Sequence, residues 1–280
     1  MSKGKNSITN LISISGGNDS IAMLQWVIEN REHFNDERFI ATYINTGWAI
    51  SWWAERMLEV KQFCEDNDIE YIEINPDLGF EDLVRKKGGF PNKIHKWCTQ
   101  ELKVKPSIKW RKENKLTPYN SVLFTGVRAD ESARRSKYTS TDEREGYDVI
   151  NPIVYLNEEE RNDLLVRTGF EVLPTRSSEC HPCIYEASKI KLRGVEESRV
   201  DLIHSLELDV TDYQNARRKL QKNPKYNPDE IFTMFPSHNL GGNGKAGIKE
   251  QIKWAYSAHG KYVLEQDDMF CDEQFGYCGD

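Results

Sequence analysis

The pattern of hydrophobic and polar positions alternates between two periods in the first half of the chain. Short runs rich in β-branched and aromatic residues, bounded by Gly, Asn, Asp or Pro, are typical of strands. Between the first of these runs, apolar residues recur every three or four positions, which predicts helices. The predicted strands are residues 7–15, 39–46, 69–75, 120–128 and 147–154.

Two helical stripes follow the first two predicted strands. Residues 24–28 carry one stripe, and residues 53–64, ending at Cys64, carry the other. Strands that alternate with helices of this length predict right-handed βαβ crossovers. We therefore predict an α/β fold with a doubly wound, mainly parallel five-stranded sheet.

The strand pattern fades after about residue 175, and a mostly helical C-terminal region is predicted beyond it. We place a domain boundary there, between residues 1–175 and residues 176–280. The polar segment 130–146 predicts a mobile loop or lid. The predicted helices of the later part are residues 157–168, 184–193, 196–208, 211–222 and 246–258.

The composition is that of a globular protein rather than a disordered or membrane protein. Hydrophobic residues make up 38% and charged residues 30% of the 280 positions. No apolar run reaches the length of a bilayer span, and the first ten residues lack the apolar stretch of a signal peptide. We expect a cytoplasmic protein. Its six cysteines are then more typical of metal ligands or reactive thiols than of disulfides, with Cys64 a core thiol.

The charge is unevenly distributed along the chain. The formal net charge is -7, yet residues 85–115 contain eleven Lys or Arg and two Glu. Such a basic segment predicts a site for an anion, for example a polyphosphate, a sulfate ester or a nucleic-acid backbone. A solvated helix face is the alternative, although Cys98 within the segment favours a functional interpretation.

The sequence SGGNDS, residues 15–20, joins the first predicted strand to the first predicted helix. Gly16 and Gly17 let backbone N–H groups approach a ligand closely, and the helix dipole adds to their attraction for an anion. Asn18 or Asp19 is expected to cap the helix, and the two serine hydroxyls add donors. The loop has neither the lysine of a P-loop nor the Rossmann glycine spacing. Its positive charge must come from elsewhere, unless the segment is only a capped turn.

These residues resemble the SGGxDS pyrophosphate loop of the adenine-nucleotide α-hydrolase (PP-loop) superfamily. Over most of residues 7–190 the chain is similar to the phosphoadenosine phosphosulfate (PAPS) reductase family. Asn45-Thr46-Gly47 resembles the family's Asp-Thr-Gly, and residues 125–135 resemble its Gly-x-Arg stretch with trailing Ser and Arg. All three segments follow predicted strands, and open α/β sheets bind ligands at that edge.

The resemblance implies that residues 1–175 form a domain that binds an adenine nucleotide. Arg128 is the best candidate for the missing positive charge, and Asp19, Arg128 and Lys103 are the catalytic candidates. Asp19 is also expected to hold Mg²⁺ if the substrate is ATP. The further cations are Lys105, Arg134 and Arg135. The nucleotide-binding candidates are Ser15, Gly16, Gly17, Asn18, Asp19, Ser20, Thr46, Gly47, Gly126 and Arg128.

The C-x-x-C of residues 180–183 suits a zinc site, half of an iron–sulfur site or a redox pair. Together with Cys98, which 81 residues separate from Cys180, it resembles the cluster-binding arrangement of the family's iron–sulfur branch, except that Trp97 replaces a second adjacent cysteine. The resemblance implies a 4Fe-4S cluster, and tetrahedral zinc is the alternative. The implied ligands are Cys98, Cys180, Cys183 and Cys278, with Cys271 as the alternative fourth.

The resemblance implies an enzyme of sulfur chemistry. In one version a thiol attacks the sulfur of PAPS or adenylylsulfate, and sulfite leaves after reduction by thioredoxin or a similar donor. Cys278-Gly279 resembles the mobile Cys-Gly that performs this attack in the family, a role that competes with ligation of the cluster by Cys278. In the other version ATP activates a nucleic acid for sulfur insertion, as in DNA phosphorothioation or tRNA thiolation. A zinc-stabilised, non-catalytic nucleotide-binding module is the third hypothesis.

Overall fold

The computed structural model describes the chain in segments, which belong to two compact units. Residues 8–77 and 101–179 form the first unit, and residues 78–100 and 180–257 form the second. The boundary near residue 175 stays a prediction. The described segments are residues 8–34, 38–92, 94–131, 135–174, 177–184, 192–221, 230–235 and 246–257.

The first unit is built on a six-stranded sheet. Its strands are β1 Thr9–Ile14, β2 Arg38–Ile44, β3 Glu70–Ile74, β4 Ser121–Phe124, β5 Thr141–Arg144 and β6 Tyr147–Ile150. Their order is β3-β2-β1-β4-β6-β5, and every neighbouring pair is parallel except β5 with β6. The predicted α/β class with a mainly parallel sheet is confirmed, with one more strand than expected.

The additional strand is β5, which lies inside the segment predicted as a mobile loop or lid. It pairs antiparallel with β6, from Thr141 opposite Ile150 to Arg144 opposite Tyr147. Short 3-10 turns at Ala129–Glu131 and Arg135–Lys137 precede it. The lid prediction is therefore wrong for residues 141–144, which form a polar strand at one edge of the sheet.

The other regular elements of the described residues are mainly α-helices. They are α1 Asn18–Glu29, α2 Trp53–Asp66, α3 Phe80–Lys87, α4 Trp97–Thr99, α5 Lys105–Glu113, α6 Glu158–Arg167, α7 Glu197–Leu220 and α8 Ile248–Ala255. A π-helical turn, Gln100–Val104, lies between α4 and α5. None of the described helices combines the length and the hydropathy that a membrane span requires.

Alternate residues of β1 face two different apolar layers. Ile12 and Ile14 pack in the larger core cluster together with buried residues of α1, α2 and α6. Leu11 packs on the other face, with Leu116 and the partly buried Trp110 of α5. Helices therefore cover both faces of the sheet, as a doubly wound fold requires.

Within the described part of the second unit, all regular elements are helices. Residues 197–220 form one helix where two helices, 196–208 and 211–222, were predicted. Asp209 and Val210, at the predicted break, include neither Gly nor Pro, and Val210 is buried, so nothing local ends the helix there. Arg85 of α3 pairs with Asp209 at 3.0 Å. Most of the predicted helix 184–193 lies outside the described residues.

Candidate functional site

The SGGNDS loop, residues 15–20, lies where the strand order reverses. β1 is bordered by β2 on one side and by β4 on the other, and the carboxyl ends of β1 and β4 lead into residues 15–17 and 125–128. A Cβ added to Gly126 would lie 2.9 Å from the Asp19 carbonyl oxygen. The two segments therefore meet at backbone distance, at the switch point where such sheets bind ligands.

Both glycines of the loop lie close against neighbouring side chains. Gly16 has a φ of 80°, and a Cβ there would lie 2.6 Å from the sulfur of Met57. A Cβ on Gly17 would lie 3.0 Å from that of Ser177. The loop backbone is thus packed against neighbouring segments on one side, which fixes its conformation.

The two loop serines bond to the loop itself. The Ser20 hydroxyl donates to the Gly17 carbonyl at 2.9 Å, and the Ser15 N–H donates to the Ser20 Oγ at 3.2 Å. The Ser15 hydroxyl lies 3.3 Å from the same Oγ. In this conformation Ser15 and Ser20 shape the turn.

The amino terminus of α1 has no side-chain cap, which corrects the expectation for Asn18 and Asp19. Gly17 is the N-cap residue and makes no side-chain bond. The Asn18 amide instead donates to the Leu173 carbonyl and accepts from the Leu173 N–H, both at 2.9 Å. Neither residue therefore caps α1, and the amino terminus of a helix attracts an anion.

Asp19 is fully buried and receives two guanidinium groups. Arg128 donates to its Oδ1 at 3.0 Å and Arg161 of α6 donates to the same oxygen at 2.7 Å. Arg128 also pairs with Asp130 at 2.7 Å, and Arg161 lies 3.4 Å from Glu158. The structure thus brings Arg128 to the loop as expected, but it pairs with a loop carboxylate. Both arginines bond to Oδ1, and the role of Asp19 in holding Mg²⁺ stays a prediction.

Thr46 and Lys103 converge on a residue that the sequence motifs do not indicate, Glu179. The Lys103 ammonium pairs with the Glu179 carboxylate at 2.8 Å, and both side chains are buried. The Thr46 hydroxyl donates to the Glu179 carbonyl at 3.1 Å. Gly47 follows Thr46 with a φ of 69°, and a Cβ added there would meet no atom within 4 Å. This network anchors residues 177–179, immediately before the C-x-x-C.

Two residues of α2 bond to the back of the SGGNDS loop, and both were missed as site residues. The Trp53 indole N–H donates to the Ser15 carbonyl at 3.2 Å, and the Arg56 Nε donates to the Gly16 carbonyl at 2.7 Å. Trp53 was predicted only as part of an apolar stripe. Arg56, a buried cation within that amphipathic pattern, carries no motif that would have signalled its role.

The basic segment 85–115 divides between the two units, and many of its cations form ion pairs within their own unit. Arg111 pairs with Glu145 at 2.9 Å, Lys109 with Asp77 at 2.7 Å and Lys105 with Glu101 at 2.8 Å. Arg135 is buried and pairs with Glu131. These pairs leave less charge for an anion than the segment's composition predicts. Arg134 lies outside the described residues.

Three of the four predicted metal ligands, Cys98, Cys180 and Cys183, belong to the second unit and are partly buried. Among the described residues, however, no three His, Cys, Asp or Glu side chains are grouped to hold a metal ion. Cys278 and Cys271 lie outside the described residues. Cys64 is buried in the core cluster, as expected, and burial raises the pKa of its thiol to about 12.

An open, mainly parallel sheet with helices on both faces and a glycine loop at its switch point defines the class as a doubly wound α/β fold. The model of the phosphoadenosine phosphosulfate reductase domain family matches residues 9–181. The chain therefore belongs to this family, and the matched region ends within the C-x-x-C.

Solved structures that match this chain share little sequence with it. The PAPS reductase from Candida auris is 12% identical, with a TM-score of 0.42 over 58% of this chain and 73% of that one. The U34-tRNA thiolase NcsA from Methanococcus maripaludis, solved with its [4Fe-4S] cluster, is 16% identical, with a TM-score of 0.47 over 90% and 82%.

A third structure, the NAD+ synthetase from Burkholderia pseudomallei, is 15% identical, with a TM-score of 0.37 over 74% of this chain and 82% of that one. No curated protein sequence matches the chain. With identities of 12–16% and TM-scores below 0.5, these structures do not indicate the substrate or the reaction of this chain.

Proposed function

We propose that the SGGNDS loop binds the phosphate or phosphosulfate end of an adenine nucleotide. The observation that carries this proposal is the amino terminus of α1 at the switch point of the sheet, which has no side-chain cap and follows two closely packed glycines. Oriented N–H groups and the helix dipole recognise an anion there without a P-loop lysine. Membership of the PAPS reductase domain family supports an adenine nucleotide as the ligand.

The proposed reaction is reduction of an adenylyl sulfate to sulfite, with PAPS or adenylylsulfate as the substrate. A cysteine thiolate attacks the sulfur, and the bond from sulfur to the phosphate oxygen breaks. The nucleotide leaves as AMP from adenylylsulfate or as adenosine 3',5'-bisphosphate from PAPS. A second thiol then attacks the cysteine sulfur, which releases sulfite and leaves a disulfide. The sulfur gains two electrons and two thiols lose them, so an external dithiol donor of the thioredoxin kind must reduce the disulfide.

The loop's part in this reaction is electrostatic. As the bond to sulfur breaks, negative charge develops on the phosphate of the leaving nucleotide. N–H groups fixed at the amino terminus of α1 stabilise that charge more strongly than the ground state, because they are already oriented when it forms. The cluster of Asp19, Arg128 and Arg161 supports the loop conformation from within the first unit.

Product analysis distinguishes the proposed reaction from the alternatives. Protein purified without oxygen is incubated separately with adenylylsulfate, PAPS and ATP, each with a dithiol donor. We expect sulfite from one of the two sulfate nucleotides and no pyrophosphate from ATP. Pyrophosphate release from ATP would instead favour sulfur insertion, with nucleic acid as the acceptor. Nucleotide binding without either product would favour the non-catalytic module.

A 4Fe-4S cluster on Cys98, Cys180, Cys183 and Cys278 belongs to the proposal as a separate part. When bound, such a cluster would supply electron-transfer or sulfur chemistry. The three described cysteines share one unit but do not form a metal-binding group there. The reaction steps above therefore do not depend on a cluster, and its presence is tested independently.

A further inference from the structure

Two side chains of α2 donate hydrogen bonds to the carbonyl oxygens of two consecutive loop peptides. The indole N–H of Trp53 reaches the Ser15 oxygen, at 3.2 Å, and the guanidinium of Arg56 reaches the Gly16 oxygen, at 2.7 Å. Trp53 is fully buried and Arg56 is 7% exposed. Neither side chain is therefore placed to touch a nucleotide directly, and both act through the loop backbone.

These two bonds decide where the loop N–H groups point. In a trans peptide the C=O and N–H vectors are opposed. Fixing the Ser15 and Gly16 carbonyls toward α2 therefore turns the N–H groups of Gly16 and Gly17 away from it. The Gly17 N–H has a long contact of 3.4 Å to the Ser15 Oγ, which is a weak bond that a phosphate oxygen can replace.

The same bonds also strengthen those N–H groups as donors. A peptide whose carbonyl accepts a hydrogen bond is polarised, and its N–H becomes a better donor. The effect is larger when the carbonyl's partner is charged, as it is for Arg56 at the Gly16 oxygen. Burial keeps water from weakening this interaction.

Among the described residues, Arg56 is the cation near the loop whose guanidinium no carboxylate contacts directly. Its remaining hydrogen bond is to the Glu171 carbonyl, at 3.5 Å, and its guanidinium lies over the rings of Trp53 and Phe170. Burial lowers the pKa of Arg56, while Glu59 and Glu171 oppose the shift through space only. The guanidinium nevertheless stays protonated, as arginine does in proteins.

The arginines on the other side of the loop differ in this respect. Arg128 and Arg161 share Asp19, and each has a second acidic partner, Asp130 or Glu158. Two cations there face three carboxylates, so they leave no net positive charge for an anionic ligand.

We propose that Arg56 is a positioning residue that orients and polarises the Gly17 N–H group and supplies, from beneath the loop, the positive charge its sequence lacks. This inference rests on the proposed binding of an adenine nucleotide phosphate by the SGGNDS loop. It names the source of the electrostatic attraction, which that proposal leaves open.

Two substitutions separate the charge of Arg56 from its hydrogen bond. Arg56→Gln keeps an N–H donor for the Gly16 carbonyl and removes the charge, whereas Arg56→Lys keeps the charge. Binding of AMP and of uncharged adenosine is measured by calorimetry or by NMR titration on the full chain. We expect Arg56→Gln to weaken AMP binding by about 10-fold or more, with adenosine binding changed by less than about 2-fold. Arg56→Lys should retain AMP affinity within about 3-fold.

Arg31 offers a matched control within the same unit. Its guanidinium also donates to two backbone carbonyls, of Asn67 at 2.7 Å and Asp68 at 3.0 Å, and lies over the ring of Phe39. These contacts are just before β3, at the amino ends of the strands and away from the loop. Arg31→Gln should therefore leave both affinities unchanged, even where it lowers the thermal midpoint as much as Arg56→Gln does.

The possible results can be told apart. Equal loss of AMP and adenosine binding in Arg56→Gln, or an equal loss of AMP binding in Arg31→Gln, would show that Arg56 has only a structural role. Unchanged AMP binding in a folded Arg56→Gln would also overturn the inference, while leaving the nucleotide site itself intact. Absence of AMP binding by the wild-type chain would instead contradict the proposed function.

Discussion

At the residue scale, Asp19 is the point where three segments of the first unit are joined. It belongs to α1, and it receives Arg128 from the segment after β4 and Arg161 from α6. A carboxylate with no exposure to solvent is stable only when its charge is compensated in this way. The aspartate of the SGGNDS motif is therefore a structural anion within the proposed ligand loop.

We predict that Asp19→Asn lowers the free energy of unfolding by about 3 kcal/mol, because it leaves two buried guanidinium groups with less compensation. Asp130→Asn is the matched control. It removes the other partner of Arg128, but the Asp130 side chain is 49% exposed, and we expect a loss below about 1 kcal/mol. Urea denaturation of both variants measures the difference, and equal losses would contradict the structural role of Asp19.

Gly16→Ala tests the loop conformation. Its φ of 80° disfavours any side chain, and the added Cβ would lie 2.6 Å from the Met57 sulfur. We expect a loss of more than about 2 kcal/mol of stability together with loss of nucleotide binding. Gly47→Ala has a similar φ, 69°, but open space around the added atom, so only about 1 kcal/mol is expected. Urea denaturation and an AMP titration compare the two variants, and comparable behaviour would show that packing behind Gly16 is unimportant.

At the element scale, a buried carboxylate ties α8 to α7 in the second unit. Both carboxylate oxygens of Glu207, on α7, accept from the Ile248 N–H at the start of α8, at 2.8 and 3.1 Å. The Thr233 hydroxyl donates to it as well, at 2.5 Å. Burial raises the pKa of Glu207 to about 7, and the nearby Glu250 adds to the rise, although the hydrogen bonds oppose it.

This raised pKa predicts a pH-dependent contact between α7 and α8. Because the folded-state pKa lies above the ordinary value of 4.5, the contribution to stability is full below that value and is lost as pH rises through about 7. We expect a loss on the order of 3 kcal/mol between about pH 5 and about pH 8. Glu207→Gln should remove most of this dependence. Unfolding measured across this pH range tests it, and an equal pH slope in both proteins would refute it.

The elements that the sequence predicts well are those with strong local signals. β1 to β4 and α1, α2 and α6 follow from apolar periodicity and flanking turn residues. β5 was missed because its four residues, TDER, carry no apolar face, and pairing with β6 alone makes them a strand. The two helices predicted in 196–222 are one, because no breaker separates them.

At the scale of the whole molecule, cysteine substitutions test whether the protein binds a metal. We expect the protein to contain iron, to absorb in the visible range, and to lose both in Cys98→Ala, Cys180→Ala, Cys183→Ala and Cys278→Ala. Cys64→Ala is the control, since that thiol is buried in the core of the first unit. Iron and zinc analysis with a visible spectrum measures the outcome.

The outcomes of the metal analysis also differ from one another. A colourless protein with one zinc would rule out the cluster and favour the structural metal. Loss of metal in Cys271→Ala rather than Cys278→Ala would change the fourth ligand. Retention of metal in all of these variants would show that the cysteines are not its ligands.

The ion pairs of the chain show that a count of charged residues does not predict where an anion binds. The basic segment 85–115 suggested one anion site, yet its described cations divide between two units, and several pair with acidic residues such as Glu145 and Asp77. Composition counts charges but does not record their partners. Arg56, outside that segment, is the cation beneath the loop.

The fold class, the position of the SGGNDS loop between strand and helix, and the family could all be read from the sequence alone. They depend on short-range periodicity and turn chemistry, which are encoded in neighbouring residues. The three-dimensional structure was needed to show that Asp19 pairs with Arg128 and Arg161, 109 and 142 positions away, and that Arg56 supports Gly16. Such partners depend on how the whole chain packs, and no local pattern specifies which buried charge meets which.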